Sequence, residues 1–399
     1  MNLPLLKNAG SLHGKRILLR LDLNLPVTGG KIRDEYRLER SLPTLAFLRE
    51  QGARTTIVSH TDSKETDSLE YVARRLNDFY PIRFVSEFSK AATAVDEVEN
   101  GAFLMLENIR RHPGEISNDP VCSQMLASLG DVYVNDAFAV SQRPHASIIG
   151  VPKLLPSYAG LLLESEVENL SKAFAPSRPF VFILAGANKK LTKGSNVSAT
   201  KFPLIKKFLE KADTVAVCGA LANDIYKAQG YEVGVSLVSE IPLNLAPIVH
   251  HRGLYVPADV VAKKTGISRI CGADSVEADE KIVDAGEESL EDLREFISNA
   301  SLVVWNGPLG EYESGFEKGT VALAQMLAEC DAETIIGGGD SLAVVSKLGL
   351  LERFSFVSTG GGAMLEFLAK GTLPGISALQ QAQNQPSSVI SAPYNPSQG

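Results

Sequence analysis

Apolar and polar positions along this chain follow two periods. Short runs rich in Val, Ile, Leu and Phe read as strands: "RILLRLDL", "RTTIVSH", "DVYVND", "PFVFILAG", "DTVAVCG", "SLVVWNG", "TIIGGG" and "FSFVSTGGG". Longer segments with apolar residues three and four apart, such as "SLPTLAFLREQG" and "SLEYVARRLNDFY", read as helices. Strands followed by helices at this spacing predict right-handed βαβ units in parallel sheets, so the expected fold class is α/β. A helix is also predicted over "GLLLESEVENLSKAF", Gly160 to Phe174, where Leu163, Val167, Leu170 and Phe174 recur at helical spacing before "APSRP". Its place near the middle of the chain makes it a candidate connector between two lobes.

Length supports two lobes, because 399 residues exceed what one ordinary core organises. The expected division is a first lobe over 1–159, a central helix and linker over 160–178, a second lobe over 179–374, and a C-terminal segment over 375–399, each lobe being a parallel sheet flanked by helices. The last residues, "QQAQNQPSSVISAPYNPSQG", are rich in Gln, Ser, Pro and Asn with few aliphatics, and are expected to be disordered. Hydrophobic content of 44% with 22% charged residues is that of a globular protein, and no apolar run reaches the roughly 20 residues of a membrane helix. The start, "MNLPLLKNAGSLHGK", lacks the pattern of a secretory signal. Cys122, Cys218, Cys271 and Cys330 are far apart and show no metal spacing, which fits a reducing, cytoplasmic compartment.

Charge narrows the partners. Residues 1–150 hold 18 Lys and Arg against 19 Asp and Glu, a balance of −1, and the remainder holds 21 against 28, a balance of −7. Neither part has the basic excess of a nucleic-acid binder. Four of the six histidines, His13, His60, His112 and His145, fall in the first part, where a small anion could be held locally.

Candidate chemistry gathers at predicted strand ends, where parallel sheets bind ligands. "TIIGGGDS" and "FSFVSTGGGAMLEFL" each run strand, glycines, helix, which presents free N–H groups and the positive end of a helix dipole where bare backbone lets a phosphate approach. Asp340 stands where it could hold Mg²⁺. "SLVVWNGPLGEYE" leaves a third strand into a Gly-Pro turn. Neither GxxxxGK[ST] nor GxGxxG occurs, so neither a Walker loop nor a dinucleotide fingerprint is present. In the first lobe "LRLDLNLP" carries Asp22 and Asn24, two apart and so expected on one face. Arg37, His60, Arg110, Arg143 and His145 follow at or beyond other strand ends, and guanidinium groups suit carboxylate and phosphate. Cations on one lobe and helix ends with a carboxylate on the other suggest phosphoryl transfer between a nucleotide and a small acidic substrate.

In order along the chain, "RLDLNLP", "DEYRLERSLPTLAFLREQGA", "MLENIRRHPGEISNDP", "LASLGDVYVNDAFAVSQRPHAS", "VVWNGPLG", "IIGGGDS" and "STGGGAMLE" resemble phosphoglycerate kinase, nearly to the end of the chain. The resemblance implies a monomer of two lobes joined by a central helix and hinge. It implies reversible transfer between 1,3-bisphosphoglycerate and MgADP, giving 3-phosphoglycerate and MgATP. It places the acidic substrate on Asp22, Asn24, Arg37, His60, Arg110 and Arg143, with Arg37 beside the transferring group. It places the nucleotide on Lys201, Gly219, Asn306, Pro308, Glu313, Gly338, Gly339, Asp340 and Ser341, with Glu313 at the ribose and Mg²⁺ on Asp340. Arg37, Lys201, Gly338 and Gly361 are the implied catalytic positions.

Departures from that pattern are local. Where it reads "SHLGRP" this chain reads "SHTDSKETD", so Ser63, with Lys64 beside it, replaces an arginine expected on the substrate. Gln142 stands before Arg143 in place of a histidine. "GGAKVSDK" becomes "AGANKKLTKGSNVSATK", nine residues longer, leaving Lys189 or Lys190 as stand-ins for the first lysine of that element. The nucleobase loop, usually three glycines, reads "CGALAND". The alternative to an active kinase is a non-catalytic or altered-substrate protein of the same fold that binds nucleotide; retention of Arg37, Lys201 and Asp340 together favours the enzyme.

Overall fold

The computed structural model describes residues 2–186, 198–239 and 243–383. The chain divides into two compact units, Met1–Glu168 with Thr372–Gly399, and Asn169–Gly371. Each is built on a six-stranded, all-parallel sheet.

In the first unit the strand order is Ile82–Val85, Phe103–Leu106, Arg54–Val58, Arg16–Leu21, Val132–Asp136 and Ser157–Ala159. Helices cover a parallel sheet on both faces, so its central strands are continuous apolar runs, and Phe103–Leu106 is buried at every residue. Its core gathers Ile17, Leu19, Leu21, Leu45, Ile57 and Met105. The helix Tyr36–Glu50 starts earlier than "SLPTLAF" suggests: Pro43 resembles a first-turn proline but lies inside the helix, and Asp34 Oδ1 accepts the Tyr36 N–H at 2.8 Å. The C-terminal helix Pro374–Gln383 also belongs here, its Gly375 N–H donating to Ser141 O over 2.8 Å. That helix takes in Gln380 to Gln383, so the first residues of the stretch expected to be disordered are helical; 384–399 lie outside the described residues.

The second unit orders its strands Leu254–Tyr255, Thr214–Val217, Phe180–Leu184, Leu302–Asn306, Glu333–Gly337 and Phe356–Val357. It adds an antiparallel sheet of Asp259–Lys264, Ile267–Gly272 and Lys281–Ala285, which the sequence did not suggest because lysines and exposed positions break its alternation. The turn between its first two strands uses Thr265 and Gly266, both at positive φ (43° and 85°), the conformation of a tight hairpin. The predicted central helix is present as Leu161–Ser171, continued by a tighter turn over Lys172–Phe174, and the boundary between the units falls within it. Asp136, last residue of its strand, caps it: Oδ1 accepts the N–H groups of Leu162 and Leu163 at 2.9 and 3.0 Å.

Candidate active site

Strands of a parallel sheet end together, so residues just beyond them share one edge. In the first unit the four central strands deliver Arg110 beyond Phe103–Leu106, His60 beyond Arg54–Val58, Asp22 beyond Arg16–Leu21 and Arg143 beyond Val132–Asp136. Arg37, in the first turn of Tyr36–Glu50, donates to Asn24 O at 3.0 Å and lies 3.5 Å from Asp22 Oδ2. Asp22 and Asn24 do meet, though not through the strand pleat. The strand stops at Leu21, and a turn lets the Asn24 N–H donate to Asp22 Oδ1 at 3.2 Å.

His60 is not one of the cations. It is 1% exposed, and burial, helped by Arg20 and Arg110, holds its pKa well below the usual histidine value. The neutral ring lies 3.3 Å from Arg20 and 3.9 Å from Asp22 Oδ1, so it contributes hydrogen-bonding capacity and no net charge. Arg110 is nine-tenths buried and pairs through one nitrogen with the half-exposed Asp62, while its Nε and second terminal nitrogen have no partner. Arg143 is exposed and Gln142 half-buried. The altered loop is anchored throughout: Asn24 Oδ1 accepts the Asp62 N–H at 3.0 Å, and Asp67 pairs with Arg111 at 2.8 Å.

A buried network behind these residues escaped the sequence reading. Arg20, fully buried, donates to Ser147 Oγ at 2.9 Å; Ser147 in turn donates to Glu115 Oε1 at 2.7 Å, and its backbone N–H to Oε2 at 2.9 Å. Glu115 is fully buried too, and Tyr133 closes the group by donating to Ser147 O at 2.6 Å. The signal was available, since a charge inside the apolar run "RILLRL" needs a buried acid somewhere.

In the second unit a cavity of about 350 Å³ opens beyond four adjacent strands, lined by Gly219, Gly186, Pro308 and Asp340. Glu313 lines it from a turn at Tyr312–Ser314, and the antiparallel sheet supplies a wall at Lys281–Ala285. That wall, with Tyr226 and Leu237, was not foreseen because its strands were not. Lys281 pairs with Glu311 at 2.5 Å. Asp284 on this wall is pushed up to about 6 by burial, against the N–H groups of Gly319 and Ala285 that it accepts.

The other nucleotide candidates form the adjoining turns. Gly338 has φ of 106°, and a Cβ there would lie 3.3 Å from Asn306; a Cβ on Gly361 would come within 3.0 Å of Gly338 Cα. The two glycine-rich turns therefore pack backbone against backbone, a constraint separate from any ligand. A Cβ on Gly339 would meet nothing within 4 Å. Ser341 is buried and accepts the Gly307 N–H at 2.9 Å, joining two of the loops. Asp340 lies in the first turn of Gly339–Lys347, whose N-cap is Gly338, so it is not the capping residue. Lys201, on the helix Ser198–Leu209, donates to Ala185 O at 3.1 Å, next to Gly186 of the cavity. Lys189 and Lys190 lie outside the described residues.

Among the described residues no three His, Cys, Asp or Glu side chains form a metal cage. A single carboxylate beside an open helix N-terminus suits Mg²⁺ that arrives with phosphate and water ligands of its own.

The family model described as "Phosphoglycerate kinase" matches residues 6–371. A protein named phosphoglycerate kinase from Thermus thermophilus is 40% identical over 388 residues, covering 92% of this chain and 97% of its own. Its counterpart from Moorella thermoacetica is 39% identical over 391 residues, covering 93% and 97%. The solved structure of phosphoglycerate kinase from Coxiella burnetii superposes with a TM-score of 0.81 at 36% identity, over 95% of this chain and 99% of that one. The one from Pyrococcus horikoshii gives 0.81 at 28% identity, over 96% and 100%.

Proposed function

This chain belongs to the phosphoglycerate kinase family, and we propose how its own residues carry the family's reaction, reversible phosphoryl transfer between 1,3-bisphosphoglycerate and MgADP to give 3-phosphoglycerate and MgATP. The observation that supports the assignment is the shared placement of the candidate residues beyond adjacent parallel strands, four in each unit. In the forward direction a terminal oxygen of ADP attacks the acyl phosphate, the new P–O bond forms as the old one to the acyl oxygen breaks, and a carboxylate leaves. No covalent nucleophile is needed, so the protein's work is positioning and charge stabilisation.

Arg110 and Arg143 hold the carboxylate and phosphate of the acid, and Asp22, Asn24 and neutral His60 orient it. Arg37, fixed by Asn24 O and Asp22, faces the oxygens of the moving group. The turns at Gly338 and Gly361 and the amine of Lys201 receive the nucleotide's phosphates, Gly219 and Pro308 flank its base, Asn306 and Ser341 hold the loops in place, and Glu313 meets the ribose. Asp340 holds Mg²⁺, which when bound neutralises charge on the phosphates. We infer a cytoplasmic monomer with these small molecules as its partners, and neither nucleic acid nor membrane; among the described residues no helix is long and apolar enough to cross a membrane.

The test is a coupled assay of ATP formation from 1,3-bisphosphoglycerate and MgADP, run beside calorimetry of each ligand. Turnover at a rate typical of kinases, above about 1 per second, supports the proposal. Binding of both ligands without turnover would favour the non-catalytic reading.

A further inference from the structure

The loop that replaces the expected arginine does more than remove a positive charge. It brings a carboxylate to the remaining one. Asp62 pairs with Arg110, the nine-tenths buried arginine whose Nε and second terminal nitrogen otherwise face no acceptor. Three donors left this poorly satisfied inside a protein mark a place built for an anion larger than one carboxylate. Asp62 reaches it from the rim: its own side chain is 51% exposed, so it can swing into water at small cost.

The loop is held so that this approach is reproducible. Asn24 Oδ1 accepts the Asp62 N–H at 3.0 Å, Asn108 Oδ1 accepts the N–H groups of Thr61 and Arg110 at 3.3 and 3.1 Å, and the Glu65 carboxylate accepts those of Gly29 and Gly30 at 3.2 and 3.4 Å. Asp62 is thus tied by its backbone to one candidate substrate residue and by its side chain to another. Partial burial works against its charge, but the Arg110 hydrogen bond and the nearby positive charge of Arg110 and Arg143 hold the carboxyl below its ordinary range.

Resting on the assignment of Arg110 to the acidic substrate, we infer that Asp62 is a resident anion of that site: its carboxylate occupies Arg110 until the phosphate or carboxylate of the incoming acid displaces it, so Asp62 sets affinity for the acidic substrate. A negative residue at the anion site also repels the substrate directly, so its removal acts twice in the same direction.

The test is calorimetric titration of 3-phosphoglycerate into the full chain and its variants Asp62→Asn, Asp62→Gly, Arg110→Ala and the double variant Asp62→Asn/Arg110→Ala, with ADP titrated as a control. Asp62→Asn is expected to tighten the 3-phosphoglycerate Kd about tenfold, Asp62→Gly at least as much, and both to leave the ADP Kd and thermal transition unchanged. Arg110→Ala is expected to weaken 3-phosphoglycerate binding, and in its background Asp62→Asn should gain much less. If Asp62→Asn leaves binding unchanged or weaker while Arg110→Ala still weakens it, the site assignment stands and the resident-anion role is overturned, Asp62 then orienting Arg110 productively. An undiminished gain in the Arg110→Ala background overturns the displacement of Asp62 from Arg110. If Arg110→Ala itself changes nothing, the assignment of Arg110 fails and the inference with it.

Discussion

The Ser147 hydroxyl donates to Glu115 Oε1 over 2.7 Å, and both residues are sealed from solvent. Through the same oxygen Ser147 accepts from Arg20 Nε, and a terminal nitrogen of Arg20 lies 3.3 Å from His60. A buried acid is thereby linked through two side chains to the ring beside Asp22, so the geometry around Asp22 and His60 depends on residues set behind them.

Glu115→Gln should expose that dependence. The buried Arg20 would lose its counter-charge, and breaking one partner of a buried pair costs about 3 kcal/mol or more. Urea unfolding should show a lower midpoint at unchanged slope, and 3-phosphoglycerate binding should weaken more than ADP binding. A variant as stable as the parent would mean that Arg20 is neutralised by another group.

Arg37→Ala should lower kcat far more than it weakens either ligand. Removing one such charge commonly costs roughly 3 kcal/mol of transition-state stabilisation, on the order of a hundredfold in rate. A raised KM with unchanged kcat would reassign Arg37 to ground-state binding.

Lys201→Ala should abolish most turnover while leaving the thermal transition within a few degrees of the parent. Its amine meets Ala185 O at 3.1 Å, and losing one such hydrogen bond costs about 1 kcal/mol. Near-normal turnover would leave the phosphate lysine to be sought elsewhere.

Asp340→Asn should weaken binding of MgADP more than binding of ADP in the presence of a chelator. The N-cap of this helix is Gly338, so a general loss of helix stability is not expected. Equal losses with and without Mg²⁺ would count against a metal role.

Asp136 gives a prediction in pH. Burial, the first cause, raises its carboxyl from 3.8 to about 6 despite the hydrogen bonds from Leu162 and Leu163. An acid with a raised folded-state pKa stabilises the fold fully below its unfolded pKa, and that contribution is lost as pH rises towards the folded one. Between pH 4 and 6 the parent should therefore lose stability relative to Asp136→Asn, by about 3 kcal/mol at most, and the difference should level off above that. Asp284 carries the same sign at about 6, which is why the comparison is between the two proteins and not across pH in one. A flat difference would show that Asp136 titrates normally.

Much of the architecture was legible in the chain itself. Continuous apolar strands such as "FVFIL" have a two-sided burial written into them, and their alternation with helices leaves few topologies besides parallel βαβ sheets. Strand-end residues were legible for the same reason, because side chains just past a parallel strand stand at the ligand edge whatever the rest of the chain does. Asp22, His60, Arg110 and Asp340 do stand just beyond strands, as that reasoning expects, whereas Gly219 and Pro308 were singled out by the family resemblance and lie beyond strands as well. Three things depended on tertiary structure, each because its cause is separated along the chain from its effect. The charge of His60 is suppressed by burial and by Arg20, forty residues earlier. Arg20 itself is balanced by Glu115 through Ser147, a pairing no local pattern encodes. Asp62 reads as one acid in a polar loop until the fold brings Arg110 to it, 48 residues away. Local order follows from periodicity, but the electrostatics of a site is a sum over distances, and only the folded chain supplies those.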